Sequence, residues 1–478
     1  MTSPGGRIGA ASAPMTGIAR GKRVYDVAIF GKDVGGAVAG ALLAKKGLRV
    51  LLATLGPMAA TRESEGWLLP TAQPVLAPLR QLSGTAGPLD ELGVGQELQR
   101  QAAATGGAFQ ILSDRLRLSL PGDPVRRRVE LRRELGETAA AQAETDLDEL
   151  ERLGRPWDAF IVEAPPLPAR GFFERRRLEK TLPVPPPLPE GVVGEALAAL
   201  SPFAANLVGD SAPEATAREA AALLRSPLRL WGGAAQLGEL LRKKAIESGA
   251  EVTPERCRNL RVDRKGVSFD VGEAEIRASA AIFACDGASV AELCAGGGRT
   301  ERKLAEEADL PIARQVVLSH FVVRGEGLPL ALEEAALLLG HPSGPMVISA
   351  VPARRARGEA AGEKLLTIGR VADTASLPSG DELLASVRAA LEPVLPFFDR
   401  HVVHQAVDVA PLQSHALLRP DEDAEPIGLR PDSDVHDRVL FASDAVYPGF
   451  GLEGSILGAR AAVEKSLALS GRKQVAAT

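Results

Sequence analysis

The sequence predicts a protein with α/β and α+β parts, the first opened by a βαβ unit. Three separated blocks predict it: a strand, turn and helix start over 25–36, a glycine pair with a helix and strands over 231–286, and a strand, glycine-rich turn and amphipathic helix over 439–463. At 478 residues the chain can bury a large core and fill two or three domains.

In the first block, residues 27–30 are an apolar run that reads as a buried strand. Residues 34–47 read as an Ala-rich helix leading into a second strand at 49–52. This is the first half of a βαβ unit. In such a turn, glycines at the first, third and sixth places let the backbone bend, approach a pyrophosphate and pack helix against strand. Gly31 and Gly36 hold the first and sixth places, Gly35 precedes the latter, and Asp33 holds the third. A carboxylate there opposes both the ligand's phosphates and the field of the helix N-terminus. The acid expected at the end of the second strand to hold the ribose is also absent: the strand ends Ala53-Thr54, with no Asp or Glu between Asp33 and Glu63. The same residues satisfy a tight turn that holds no ligand, and the sequence leaves both readings open.

Between the blocks the chain reads mainly as helix over 57–229, with proline-rich breaks. Asp123-Pro124 is an N-cap and first-turn pair for a long polar helix through Arg152, 109–120 alternates as one hairpin, 183–189 is a proline-rich connector, and 212–224 is a further helix. In the second block, Gly232-Gly233 open a helix with apolar Leu237, Leu240 and Leu241, stopped by Gly249, and strands follow through Asp286. Residues 316–323, 346–351 and 365–371 read as strands of an antiparallel sheet, with a helix at 380–395. In the third block a strand leads through Ser443, Asp444, Tyr447, Gly449, Gly451, Leu452 and Gly454 into a helix, offering an acid and backbone N–H groups to a polar cofactor.

Composition excludes some partners. The net charge of −5 comes from 61 acids and 56 interspersed bases, so there is no basic field for nucleic acid. Cys257, Cys285 and Cys294 have neither zinc nor disulfide spacing, which fits a reducing compartment and a cytoplasmic protein. Residues 1–23 and 471–478 read as tails without the apolar core of a signal peptide. No apolar run is long enough to span a bilayer, so any membrane contact is expected to be peripheral. The basic runs at 126–133 and 174–178 invite a membrane-surface reading, but glutamates follow or interleave them and a solvated helix face is favoured. His401, His404 and His415 lack an accompanying acid or cysteine pattern, so no metal is assigned. No Ser-His-Asp or Cys-His order stands out, and no catalytic residue is assigned.

In order and spacing, the three blocks together resemble the phytoene desaturase and amine oxidase group of flavoproteins, over roughly residues 24–470. The resemblance implies a Rossmann-like FAD/NAD(P)-binding domain built from 24–84, 230–305 and 400–470, with a substrate or lid domain from 85–229 and 306–399. It implies that Gly31, Gly35 and Gly36 line the pyrophosphate of FAD, that Cys257 lies against the adenine, and that Asp444 binds the ribityl chain. Asp286 would join the same cleft. Gly449 and Gly451 to Gly454, with Leu452, would present N–H groups and a helix dipole to the flavin N1/O2 edge. The chain departs from the family at Asp33, at Thr54, at Gly56-Pro57-Met58, which lacks the family's arginine, and at Ser443, which replaces a glycine. Each lost charged hydrogen bond costs roughly 1.5–3 kcal/mol.

Two functions follow from the resemblance. One is an FAD-dependent oxidoreductase that dehydrogenates or isomerises an apolar, isoprenoid-like small molecule or lipid. The other is a flavin-free protein of the same fold that binds a lipid or a protein, for which the guanine nucleotide dissociation inhibitors are a precedent. Nothing in the sequence fixes a homo-oligomeric state.

Overall fold

The computed structural model describes residues 23–55, 59–102, 109–163, 167–169, 171–181, 189–204, 213–412 and 428–471. The expectations for 1–22, Gly56-Pro57-Met58, His415 and the tail from 472 lie outside these residues, as does most of the proline-rich connector.

A parallel sheet organises the first domain. Strand Arg23–Gly31 lies at its centre, paired on one side with Val50–Ala53, which in turn pairs with Glu251–Thr253. On the other side it pairs with Ala274–Ala284, whose last residues pair with Val439–Phe441. All four contacts are parallel, the expected pattern when strands are covered by helices on both faces. Strands Cys257–Asp263 and Gly266–Val271 add an antiparallel edge. The central strand is apolar because both of its faces are covered: Phe30 packs edge-on to Phe269 at 4.7 Å and also against Phe283, while Ile29 and Val27 face the Ala-rich helix Val34–Lys45. That helix is buried along almost its whole length, packed between the helices Gly233–Glu247 and Gly451–Leu469.

A second, largely antiparallel sheet is built from Val402–Leu412, Arg314–Arg324, Glu363–Asp373, Met346–Pro352, Ala335–Leu338 and the hairpin Phe109–Leu112/Arg117–Leu120. Helix Gly380–Leu391 covers one face through Val387 and Leu391, opposite Phe321 and Ile368. The expected hairpin at 109–120 is present, and its first strand joins this sheet in parallel to Ala335–Leu338.

Two expectations need correction. The polar helix expected from Asp123 through Arg152 is two helices, Pro124–Leu135 and Glu137–Val162. Gly136 at φ 77° breaks the run, since a left-handed residue cannot continue a helix. Asp123 does cap the first of them, accepting from the N–H groups of Val125 and Arg126. The boundary at residue 400 also shifts: Val402–Leu412 pairs with Arg314–Arg324 in the antiparallel sheet, so this strand belongs with the second sheet and not the first. The pattern of a strand describes its two faces and not the neighbour it will pair with.

No helix among the described residues is long and apolar enough to cross a membrane.

Candidate functional site

The turn after the first strand, the end of the fourth and the start of the C-terminal helix meet at one place. Asp286 and Asp444 lie close enough to Asp33 for their charges to act on its carboxyl. Burial, followed by the charges of Asp444 and Asp286, pushes the Asp33 carboxyl well above its ordinary range, with Lys32 opposing. Burial likewise raises Asp444 to about 6, against the lowering effect of its own and the Ala445 backbone N–H. Asp286 has a local task, capping helix Gly287–Cys294 by accepting from Ser289 N at 2.8 Å. Asp33 begins helix Val34–Lys45 but makes no side-chain capping bond, so its carboxyl stands at the helix start without the usual compensation.

The glycines of this turn pack protein against protein. A methyl on Gly31 would overlap the Ala284 carbonyl, one on Gly35 would overlap the Ala442 carbonyl, and one on Gly36 would meet the Ala284 side chain at 2.5 Å. The Gly35 N–H, one of the free donors of a helix start, is taken by Ser455 Oγ at 3.2 Å. The bending and packing glycines are thus kept, and the place that serves close approach to a phosphate holds Asp33.

Thr54 is buried at the end of its strand, its N–H donating to Thr253 O at 3.0 Å. Cys257 is buried, its thiol pushed up to about 12 by burial and then by Glu255. It lines a cavity of about 270 Å³ together with Leu55, Pro254, Arg256, Ser289, Glu292 and Leu293. This is the end where the resemblance places an adenine, and it is open.

At the other end the C-terminal helix start is packed against the helical lobe. At the start of helix Gly451–Leu469, Gly451 has φ 45° and a methyl there would overlap the carbonyl of Ala204, the last residue of helix Gly191–Ala204. Glu219 Oε2 stands 3.1 Å from the same position. Beside it, the buried Glu453 accepts from Gly84 N at 2.7 Å and from Arg218, which also reaches Asp158. Burial raises the Glu219 carboxyl well above its usual range, and the Glu453 charge raises it further, outweighing Arg218. Burial alone would lower the Arg218 guanidinium; Glu453 and Asp158 outweigh it and hold it above its usual value. Phe450 is buried against Trp157, and Gly449 is buried beside it. Leu452 is half-buried, and a methyl on Gly454 would press on the Tyr447 carbonyl. Tyr447 is packed in the core at φ 58°. Ser443 is fully buried, and its hydroxyl has no hydrogen-bond partner.

The sequence reading named Gly31 through Gly36, Asp286, Asp444 and Gly454; the Gly35 N–H donates to Ser455, next to Gly454, and Asp33 lies near Asp286 and Asp444. It missed Arg218, Glu219, Asp158 and Ala204, which come from the helical lobe. A buried charge pair between segments 235 residues apart leaves no mark in local pattern. Among the described residues no group of three or more His, Cys, Asp or Glu side chains is placed to hold a metal. His404 is buried with Nε2 3.1 Å from Ser64 Oγ, and His401 sits in a short 3-10 turn.

No family model and no curated protein sequence matches the chain. Solved structures do. Wild-type putrescine oxidase bound to putrescine aligns over 93% of this chain and 99% of its own, with TM-score 0.54 and 17% identity. The chain shares the flavin amine oxidase fold. Cyclohexylamine oxidase from Brevibacterium oxydans gives TM-score 0.55 at 14% identity, over 93% of this chain and 99% of its own. An oxidoreductase from Methanosarcina mazei gives 0.59 at 14% identity, over 93% and 100%. At these identities the likeness is one of fold.

The FAD that this fold implies does not fit the residues present. Asp33 holds the place of the close-approach glycine, and Asp286 and Asp444 lie near enough to raise its carboxyl, so the phosphates of FAD would add like charge to a cluster of carboxylates.

Proposed function

We propose that this chain is a flavin-free protein of the amine oxidase fold, acting as a lipid- or protein-binding factor. The observation that supports the reading is Asp33, which holds the third place of the turn with Asp286 and Asp444 near enough to raise its carboxyl. Unlike a lobe that can swing away, Asp33 is part of the turn itself. The residues retained around it, Gly31, Gly35 and Gly36, are those with packing tasks, which is what a fold kept for its shape requires.

The open cavity beside Cys257 favours a second reading, a flavin-dependent oxidoreductase resembling phytoene desaturases and acting on an apolar, isoprenoid-like substrate. The absorbance of the purified protein near the flavin bands, followed by titration of FAD into wild type and Asp33→Gly, separates the two. The binding-protein reading expects a colourless protein and no quenching of flavin fluorescence in the wild type. Stoichiometric FAD in the purified wild type, or tight binding on titration, would sink it and restore the oxidoreductase.

A further inference from the structure

Helix Gly171–Thr181, outside the cleft, carries a surface that the fold does not use. Phe172 is 68% exposed and Phe173 is 86% exposed, in a chain with only 4% aromatic residues and a core that buries most of its large side chains. Their rings touch edge to face at 5.7 Å, so they form one apolar knob. At about 100° per residue, Phe172, Phe173, Arg176, Arg177 and Lys180 share one side of the helix. The other side is the anchored one: Leu178 is buried in the main core, and Glu174 pairs with Arg430 at 2.9 Å. Arg176, Arg177 and Lys180 are exposed, and Glu179 is the acid that borders the patch.

We propose that this face docks the protein peripherally on an anionic lipid surface, the two phenyl rings entering the headgroup boundary and Arg176, Arg177 and Lys180 meeting lipid phosphates. Aromatic side chains beside cations on one helix face are the pattern that binds such an interface, where apolar insertion and charge attraction add. Charge complementarity selects this occupant over a second copy of the chain: an isologous contact would press three cations against three cations. The convex knob also fits a soft boundary that closes around it.

The test uses the full chain. Sedimentation with vesicles of phosphatidylglycerol and phosphatidylcholine is compared with phosphatidylcholine alone, at low and at physiological salt. Wild type is expected to sediment with the anionic vesicles, more weakly as salt rises. Phe172→Ser with Phe173→Ser should weaken binding at least tenfold, and Arg176→Gln with Arg177→Gln and Lys180→Gln should abolish the preference for anionic lipid. Both variants alter exposed side chains, and unchanged thermal unfolding confirms that they fold. No sedimentation of wild type with anionic vesicles overturns the proposal in favour of a protein partner. Equal binding by wild type and variants overturns the assignment to this helix. A wild-type dimer that the phenylalanine variant disperses assigns the patch to self-association instead.

Discussion

Arg218 Nη1 and Glu453 Oε2 stand 2.5 Å apart in the interior, tying the lobe helix Pro213–Arg225 to the first turn of the C-terminal helix. The same guanidinium reaches Asp158 through Nε at 2.9 Å, and Ser83 Oγ donates to that carboxylate at 2.7 Å. Removing one member of a buried pair strands the other without a counter-charge. Arg218→Met is therefore expected to lower unfolding stability by about 3–5 kcal/mol, read from denaturant midpoints at pH 7. Glu453→Gln should cost less, since its amide oxygen still accepts from Gly84 N. Equal losses in both variants would show that the pair does not act through charge.

Asp33 is expected to destabilise the protein at neutral pH. Its folded carboxyl binds protons more tightly than in the unfolded chain, as does Asp444 at about 6. The sign follows from linkage: the folded state gains protons first, so these groups cost least near pH 4 and most above their folded values. Asp33→Asn should raise the melting temperature at pH 7, and the gain should vanish as pH falls toward 4. A variant that melts lower at pH 7 would refute this.

His320 predicts the opposite trend. It is fully buried in strand Arg314–Arg324 of the antiparallel sheet, with Nδ1 3.2 Å from Thr367 Oγ1, and its Nε2 has no hydrogen-bond partner. Burial, then the charges of Arg62 and His404, push it down to about 3. The unfolded chain takes up this proton near pH 6.5 and the folded one near 3, so stability is lost as pH falls through that window. Comparing wild type with His320→Gln across pH 4–7 should show a flatter profile in the variant. Parallel profiles would mean that the imidazole is protonated in the fold.

Gly35→Ala tests the packing reading of the turn. The added methyl would meet two backbone carbonyls, Ala442 and Ser455, which cannot rotate away. A loss of several kcal/mol is expected, on the scale of overpacked cores. A neutral variant would mean that the turn is open enough for a ligand.

The parallel sheet was legible because it is written locally. The apolar run at 27–30, the Ala-rich helix after it and the strand-turn-helix at 439–463 each declare their period within a few turns, and the three blocks do meet. The turn of Asp33 was legible for the same reason, since one residue in a six-residue pattern was out of place. The packing of the helical lobe on the C-terminal helix was not. Ala204, Glu219 and Arg218 lie on helices whose patterns describe only their own amphipathicity, and nothing local says that they end against Gly451. The long helix misread across Gly136 is a smaller case, in which a good N-cap at Asp123 drew attention from the break thirteen residues on.

The central strand Arg23–Gly31 has as its partners Val50–Ala53 and Ala274–Ala284, and the next strand outward is Val439–Phe441. Its first partner follows it closely in the chain and its second lies some 250 residues on, so completing the sheet on that side waits for a long-range contact of the kind that slows folding. Until that contact forms, one edge of a strand whose residues 27–30 are all apolar is unpaired. Refolding of the full chain is therefore expected to compete with edge-to-edge association, and to lose yield as protein concentration rises.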